Sequence, residues 1–198
     1  MTPVTSALLT ANVSLFLLEG MMGPDLVAWL ALWPPSGGAL PPFQPWQLVS
    51  YAFLHDGLAH IAFNMLALYM FGQDLERLFG ARFFLQYYVA SVVTGALTHL
   101  AASALMGAEP LPLVGASGGV FGLLLAFGWF FPQRRLVFLL FPVPLPARVF
   151  VAGYGLLELV LGVTGTQTGV AHFAHLGGML GGWLAIQWRR GGFPFGPR

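Results

Sequence analysis

Long apolar runs, broken by short polar or glycine- and proline-rich stretches, dominate the pattern of this chain. A bilayer core of about 30 Å takes about 20 helical residues to cross. Six runs reach or approach that length, and they predict helices at 3–22, 57–72, 81–106, 115–131, 147–163 and 170–188. In lipid a segment must satisfy its own backbone hydrogen bonds, so helices are expected and isolated strands are not. The expected fold class is therefore all-α, a single domain over 1–198 built as a six-transmembrane-helix bundle. The apolar stretch Val4–Leu18 lacks a basic segment before it and a clear small-residue cleavage site after it. It reads as the first span and not as a signal peptide.

Charge reinforces that reading. Hydrophobic residues make up 57% of the chain and charged ones only 8%, against roughly 25% in a soluble domain. The eight basic residues are all arginine: 77, 82, 134, 135, 148, 189, 190 and 198. With six spans, every one falls on the same side, which the positive-inside rule makes cytoplasmic. Both termini are then cytoplasmic. The opposite side carries connections at 23–56, 107–114 and 164–169. The first holds Trp29, Trp33 and Trp46 and reads as an interfacial segment anchored by aromatic rings. A net charge of +1 and the lack of a basic patch give no sign of nucleic-acid binding. Cysteine is absent, which excludes disulfide and thiolate chemistry.

Three polar clusters interrupt the spans, each at the outer end of a helix. The first is Gly115-Ala116-Ser117-Gly118-Gly119. A serine at a helix N-terminus has open backbone N–H groups beside it that can hold an oxyanion. The same residues also suit a helix cap or a small-residue packing face. The second cluster is Ala174-His175-Leu176-Gly177-Gly178, leading to Gly182. His175, Gly178 and Gly182 share one helical face, which would let the span carrying Gly118 and Gly122 approach closely. His172, one turn earlier, is the rival base. The third cluster joins His55, Asp56 and His60 to Asn64, with His60 and Asn64 on one face at i, i+4. Both can donate hydrogen bonds to an oxyanion. His55, His60 and His175 could form a metal set on paper, but no His-Glu-x-x-His occurs, and neither metal nor cofactor is expected. Glu158 and His99 lie inside spans and receive no catalytic role. Asp56 has no evident position behind His175, so a Ser117–His175 pair without a third carboxylate is expected.

Taken in order, these clusters resemble the rhomboid family of intramembrane serine proteases. The resemblance runs from Thr5 to Trp188 and rests on Pro45-Trp46, Phe53-Leu54-His55, His60-x-x-x-Asn64, Gly115-x-Ser117-Gly118 and Ala174-His175-x-Gly177-Gly178. It implies Ser117 as nucleophile and His175 as general base. His60, Asn64 and the Ser117 N–H would surround the oxyanion, with Gly115 and Gly118 shaping the site. Span five and the 164–169 connection would gate and cap it. Substrates would be transmembrane proteins in a bacterial-type plasma membrane, cut near the outer face. Many relatives carry Trp-Arg where this chain has Trp46-Gln47, so a salt bridge from that position is not expected. Two other readings remain at this point: a catalytically silent relative that binds client helices, and a transporter. The latter would favour paired repeats, which the sequence lacks.

Overall fold

The computed structural model describes residues 1–35, 41–106, 111–138, 141–164 and 172–191. Among them, six helices of 14 or more residues form a bundle: α1 (Pro3–Met22), α4 (Leu58–Phe79), α5 (Ala81–Met106), α6 (Ser117–Phe130), α7 (Ala147–Thr164) and α8 (His172–Arg189). Two short helices, α2 (Pro24–Leu30) and α3 (Gln47–Ser50), lie between α1 and α4. By length and apolar character α1, α5 and α7 suffice to cross a membrane, and α6 is a shorter apolar helix. The expected 164–169 connection lies outside the described residues beyond Thr164, as do 107–110 of the second connection.

Two elements differ from expectation. α4 runs seven residues past Gly72, because Asp74-Leu75-Glu76-Arg77-Leu78 continues the helix until Gly80 turns the chain at φ 78°. A small hairpin departs from the all-α pattern, with β1 (Arg135–Phe138) antiparallel to β2 (Phe141–Pro146). Prolines 142, 144 and 146 cannot support a helix. They are tolerated in a two-stranded ribbon, where each strand is an edge.

α8 packs most extensively on α5 and then on α6. Its glycines divide between these neighbours, which corrects the expectation that α6 alone receives them. A Cβ on Gly178 would overlap the Gly118 carbonyl oxygen of α6. One on Gly182 would overlap the Tyr87 hydroxyl of α5, and Gly177 and Gly181 face Thr98 and Thr94 of the same helix. Gly122 abuts Ser91 of α5 as well as the Gly178 carbonyl. The reason is geometric. Helix α8 lies in the groove between two helices, so i, i+1 and i+4 glycines each meet a backbone. With no hydrophobic force between spans in lipid, such close van der Waals contact is what holds them.

Both ends of the bundle carry polar fasteners. At one, Glu76 of α4 caps the first turn of α1. Its carboxylate accepts from Val4 N at 2.9 Å, Thr5 N at 2.8 Å and Thr5 Oγ1 at 2.8 Å. A carboxylate there satisfies open N–H groups and favours the helix dipole. Asp74 pairs with Arg77 and Arg134, and Arg189 donates to the Phe79 carbonyl at 3.1 Å. The basic ends of α4, α6 and α8 therefore meet at one end.

At the other end, buried Gln47 pins the long connection. Its Oε1 accepts from Trp33 N and Gln44 N, and its Nε2 reaches the Trp29 carbonyl at 3.4 Å. A neutral amide does here what a salt bridge would do elsewhere. Trp29 and Trp46 lie outside, their ring centroids 6.4 Å apart, as an interfacial anchor requires. Leu32 enters the core through a bridge to Leu113.

The glycine packing predicts the outcome of two substitutions. Gly178→Ala lowers thermal stability in detergent by about 1–3 kcal/mol, the usual cost of overpacking. Gly153→Ala, where a Cβ meets nothing within 4 Å, leaves stability unchanged or raises it slightly. A separate prediction concerns His55, buried in the turn before α4. Burial, and next the neighbouring His60, push its imidazole down to about 4. The unfolded chain binds a proton near pH 6.5 that the folded one refuses. Stability therefore falls as pH drops from about 6.5 towards 4. Unfolding curves of His55→Gln across that range should fall less steeply than those of the parent.

Candidate active site

Gly115 sets the approach to α6. It adopts φ 120°, a conformation open to glycine, and its N–H donates to the Tyr51 carbonyl at 3.0 Å. A Cβ there would come within 2.7 Å of the His60 ring. The chain then enters the helix at Ser117, with Ala116 as N-cap. At such a position the N–H groups of Ser117, Gly118 and Gly119 have no intrahelical acceptor. The first helical bond is Val120 N to Ala116 O at 3.0 Å. Ser117 is half-buried, so its hydroxyl sits at the mouth of this N–H nest.

His175 comes from the second turn of α8 and is brought in by the Gly118–Gly178 contact. Its Nε2 is 2.9 Å from Ser117 Oγ. Its ring stacks on Phe121 with centroids 4.1 Å apart and planes 3° from parallel. The stack continues through Tyr154 to Phe150. Stacked rings of this kind contribute about 0.5–1.5 kcal/mol beyond area burial, and here they fix the plane of the imidazole. Phe121 was not anticipated. The available signal was its spacing of i+4 from Ser117, which puts both on one face of α6.

The other edge of the imidazole corrects a sequence expectation. A carboxylate does stand behind His175: Glu158 Oε2 of α7 lies 2.9 Å from His175 Nδ1. The same oxygen lies 2.7 Å from Nδ1 of His172. All three side chains are buried. His172 therefore faces the carboxylate and is not placed as a rival base. Glu158 is the sole acid within α7, and an ionisable residue inside an apolar span is a functional candidate by default. That was the legible signal. What could not be read was which way the helix turns it.

His60 and Asn64 lie on the first two turns of α4. Asn64 is buried, and its Nδ2 donates to the His60 carbonyl at 3.0 Å. His60 Nδ1 meets Asp56 Oδ1 at 2.5 Å, and its ring contacts His55 edge-on at 5.0 Å. Among the described residues no hydrogen bond joins either residue to Ser117. The His60 ring instead borders Gly115, two residues before the hydroxyl. Half-buried His99 of α5 is not joined to these side chains by any hydrogen bond among the described residues.

The His55–His60–His175 metal set conceived from sequence is not the one that assembles. Among the described residues the cluster able to hold a metal is Glu158, His172 and His175, with donor atoms within 4.8 Å of one another. Two imidazoles and a carboxylate are suitable ligand types for zinc. Here their Nδ1 and Oε2 atoms are engaged with each other, and His175 Nε2 is engaged with Ser117.

Residues 42–190 match the family profile described as Rhomboid domain. Among curated proteins the chain is similar to Rhomboid protease GluP of Bacillus subtilis, 33% identical over 71% of this chain and 25% of that protein. It is also similar to the mitochondrial Rhomboid protein 1 of Saccharomyces cerevisiae, 33% identical over 70% of this chain and 40% of that protein. Rhomboid protease GlpG of Serratia proteamaculans is 29% identical over 94% of this chain and 62% of its own length. The chain thus spans between a quarter and about three-fifths of these relatives. The match covers the last part of the long connection, the three polar clusters and the helices that carry them, and with the apolar helices it marks an integral membrane protein. On that match, the chain belongs to the rhomboid family.

Proposed function

We propose that the chain is an intramembrane serine endopeptidase that cleaves transmembrane segments of membrane proteins, with Ser117 as nucleophile and His175 as general base. The observation that carries this reading is the 2.9 Å contact between Ser117 Oγ and His175 Nε2 beside open N–H groups at a helix start. The names of the relatives GluP and GlpG, both rhomboid proteases, support it.

The chemistry follows from the arrangement. The Ser117 hydroxyl proton passes to His175 Nε2 as Oγ bonds to the scissile carbonyl carbon. The carbonyl oxygen gains the negative charge and turns towards the N–H groups at the start of α6. Asn64 and His60, on the α4 side, supply further donors to that oxygen. The tetrahedral species then collapses. The C–N bond breaks, Nε2 returns its proton to the leaving amine, and an acyl-enzyme remains. A water then loses a proton to Nε2 as its oxygen bonds to the acyl carbon; the ester bond to Oγ breaks, Nε2 returns the proton to Ser117 Oγ, and the acid leaves. No metal or cofactor enters this scheme.

The membrane setting accords with it. In this reading six spans cross a plasma membrane, with the arginine ends and both termini on the cytoplasmic side. The Ser117 end then opens towards the outer water, which hydrolysis needs and which tolerates polar side chains. Substrate is a transmembrane segment that reaches the site from the bilayer.

Cleavage of a reconstituted single-span substrate, with fragments weighed by mass spectrometry, tests the reading. The parent cuts and Ser117→Ala does not. A fluorophosphonate probe labels the parent at Ser117. Undiminished cleavage by Ser117→Ala would instead favour a silent helix-binding relative. For Asn64→Ala the expected loss is about 10²- to 10³-fold in kcat, the size seen when one oxyanion donor is removed. Turnover equal to the parent would remove Asn64 from that role.

A further inference from the structure

The proposed peptidase chemistry leaves two buried side chains unused, Glu158 and His172, which stand behind His175. We propose that Glu158 is a positioning residue for His175 and that His172 is the partner that holds Glu158 in place. The inference rests on the reading of Ser117 as nucleophile.

Three observations carry it. First, the carboxylate oxygen and the two Nδ1 atoms are at 2.7 and 2.9 Å, both within hydrogen-bond reach. Second, Glu158 is 4% exposed, His172 5% and His175 8%. A carboxylate so enclosed is costly to leave uncompensated. Third, the two histidines are at i, i+3 on α8, while Glu158 comes from the facing α7. One helix therefore presents two donors to a single acceptor on the other.

The hydrogen-bond inventory then fixes the protons. An ionised carboxylate only accepts, so each imidazole must donate through Nδ1–H. A neutral histidine with its proton on Nδ1 has a bare lone pair on Nε2. For His175 that lone pair points at Ser117 Oγ, which is the tautomer a general base requires. Once His175 has taken the serine proton it carries positive charge, and the carboxylate at its back stabilises that ion. The same division of labour is found in serine hydrolases with a third, acidic residue. His172 contributes differently. It supplies the second donor to Oε2, so the carboxylate stays oriented while His175 swings between neutral and charged forms. A purely structural pair would need only one of the two histidines. The second contact is the one directed, through the ring, at the nucleophile.

The experiment combines kinetics with nitrogen-15 spectroscopy of histidine-labelled protein in micelles, on the full chain. In the parent, His175 (identified by loss of its signal in His175→Asn) should show Nδ1 protonated and Nε2 bare. Glu158→Gln should lower kcat about tenfold or more, in line with general-base catalysis, with KM changed less than twofold. His172→Leu should lower kcat, and His172→Gln, which keeps a donor, should restore much of it. An Nε2-protonated His175 in the parent would overturn the proposal even if no variant folds. So would a Glu158→Gln protein that cleaves at the parent rate. Parent kcat in His172→Leu would overturn the part given to His172. These failures leave the peptidase reading standing as long as Ser117→Ala is inactive. If Ser117→Ala cleaves like the parent, both readings fall together.

Discussion

Everything at the site depends on one backbone contact, the approach of α8 to α6 where Gly178 lies over the Gly118 carbonyl. A membrane interior offers no hydrophobic drive to press spans together, so shape has to do it. Glycine allows the two backbones to touch. That distance decides how far a side chain from one helix must reach to meet a side chain of the other. A serine is short and an imidazole rigid, and the pair can meet at 2.9 Å because their helices are already in contact. The ring stack from His175 through Phe121 and Tyr154 to Phe150 then settles the angle.

The remaining fasteners keep that contact in register. Tyr51, in the turn before α4, donates to the Val92 carbonyl of α5 at 2.9 Å and lies against Gly118. Its own carbonyl holds the Gly115 N–H. One residue thus ties the long connection to both α5 and the approach to Ser117. At the far end, Glu76, Asp74 and Arg189 bind helix ends together by charge and carbonyl contacts. Between these two ends glycine packing brings further polar groups together, such as the Tyr87 hydroxyl, which donates to the Gly122 carbonyl at 2.5 Å.

Much of this was legible in the sequence, for physical reasons that can be named. Helix ends at Pro3, Ala81 and Ala147 follow from abrupt changes in polarity. Ser117, within Gly115-Ala116-Ser117-Gly118, and His175, just ahead of Gly177-Gly178, stand out as polar residues close to glycines in apolar runs. The all-α class held except for the hairpin after α6. The distribution of α8's glycines between α5 and α6 was not legible, because periodicity gives the face of a helix and not the identity of its neighbour. Ser91, Thr94, Gly95 and Thr98 make α5 the smoother partner, which becomes evident only once three helices are considered together. Glu158 was visible as an oddity within α7. Its bearing on His175 depends on the rotation of α7 about its axis, and hydropathy alone leaves that rotation open. Gln47 illustrates the converse. A departure from the commoner arginine reads as a loss, yet three hydrogen bonds show an amide filling the place.

The parentage of the buried trio has a mechanical corollary. The hydroxyl and the imidazole ride on helices clamped backbone to backbone, while the carboxylate rides on α7, which meets α6 and α8 mainly through side chains such as Tyr154 and Val151. A small tilt of α7 would stretch the contact to Nδ1 and leave the serine–imidazole distance as it was. The molecule thus has a fixed half and an adjustable half: a helix exposed along much of its length can shift the carboxylate without dismantling the serine–imidazole pair.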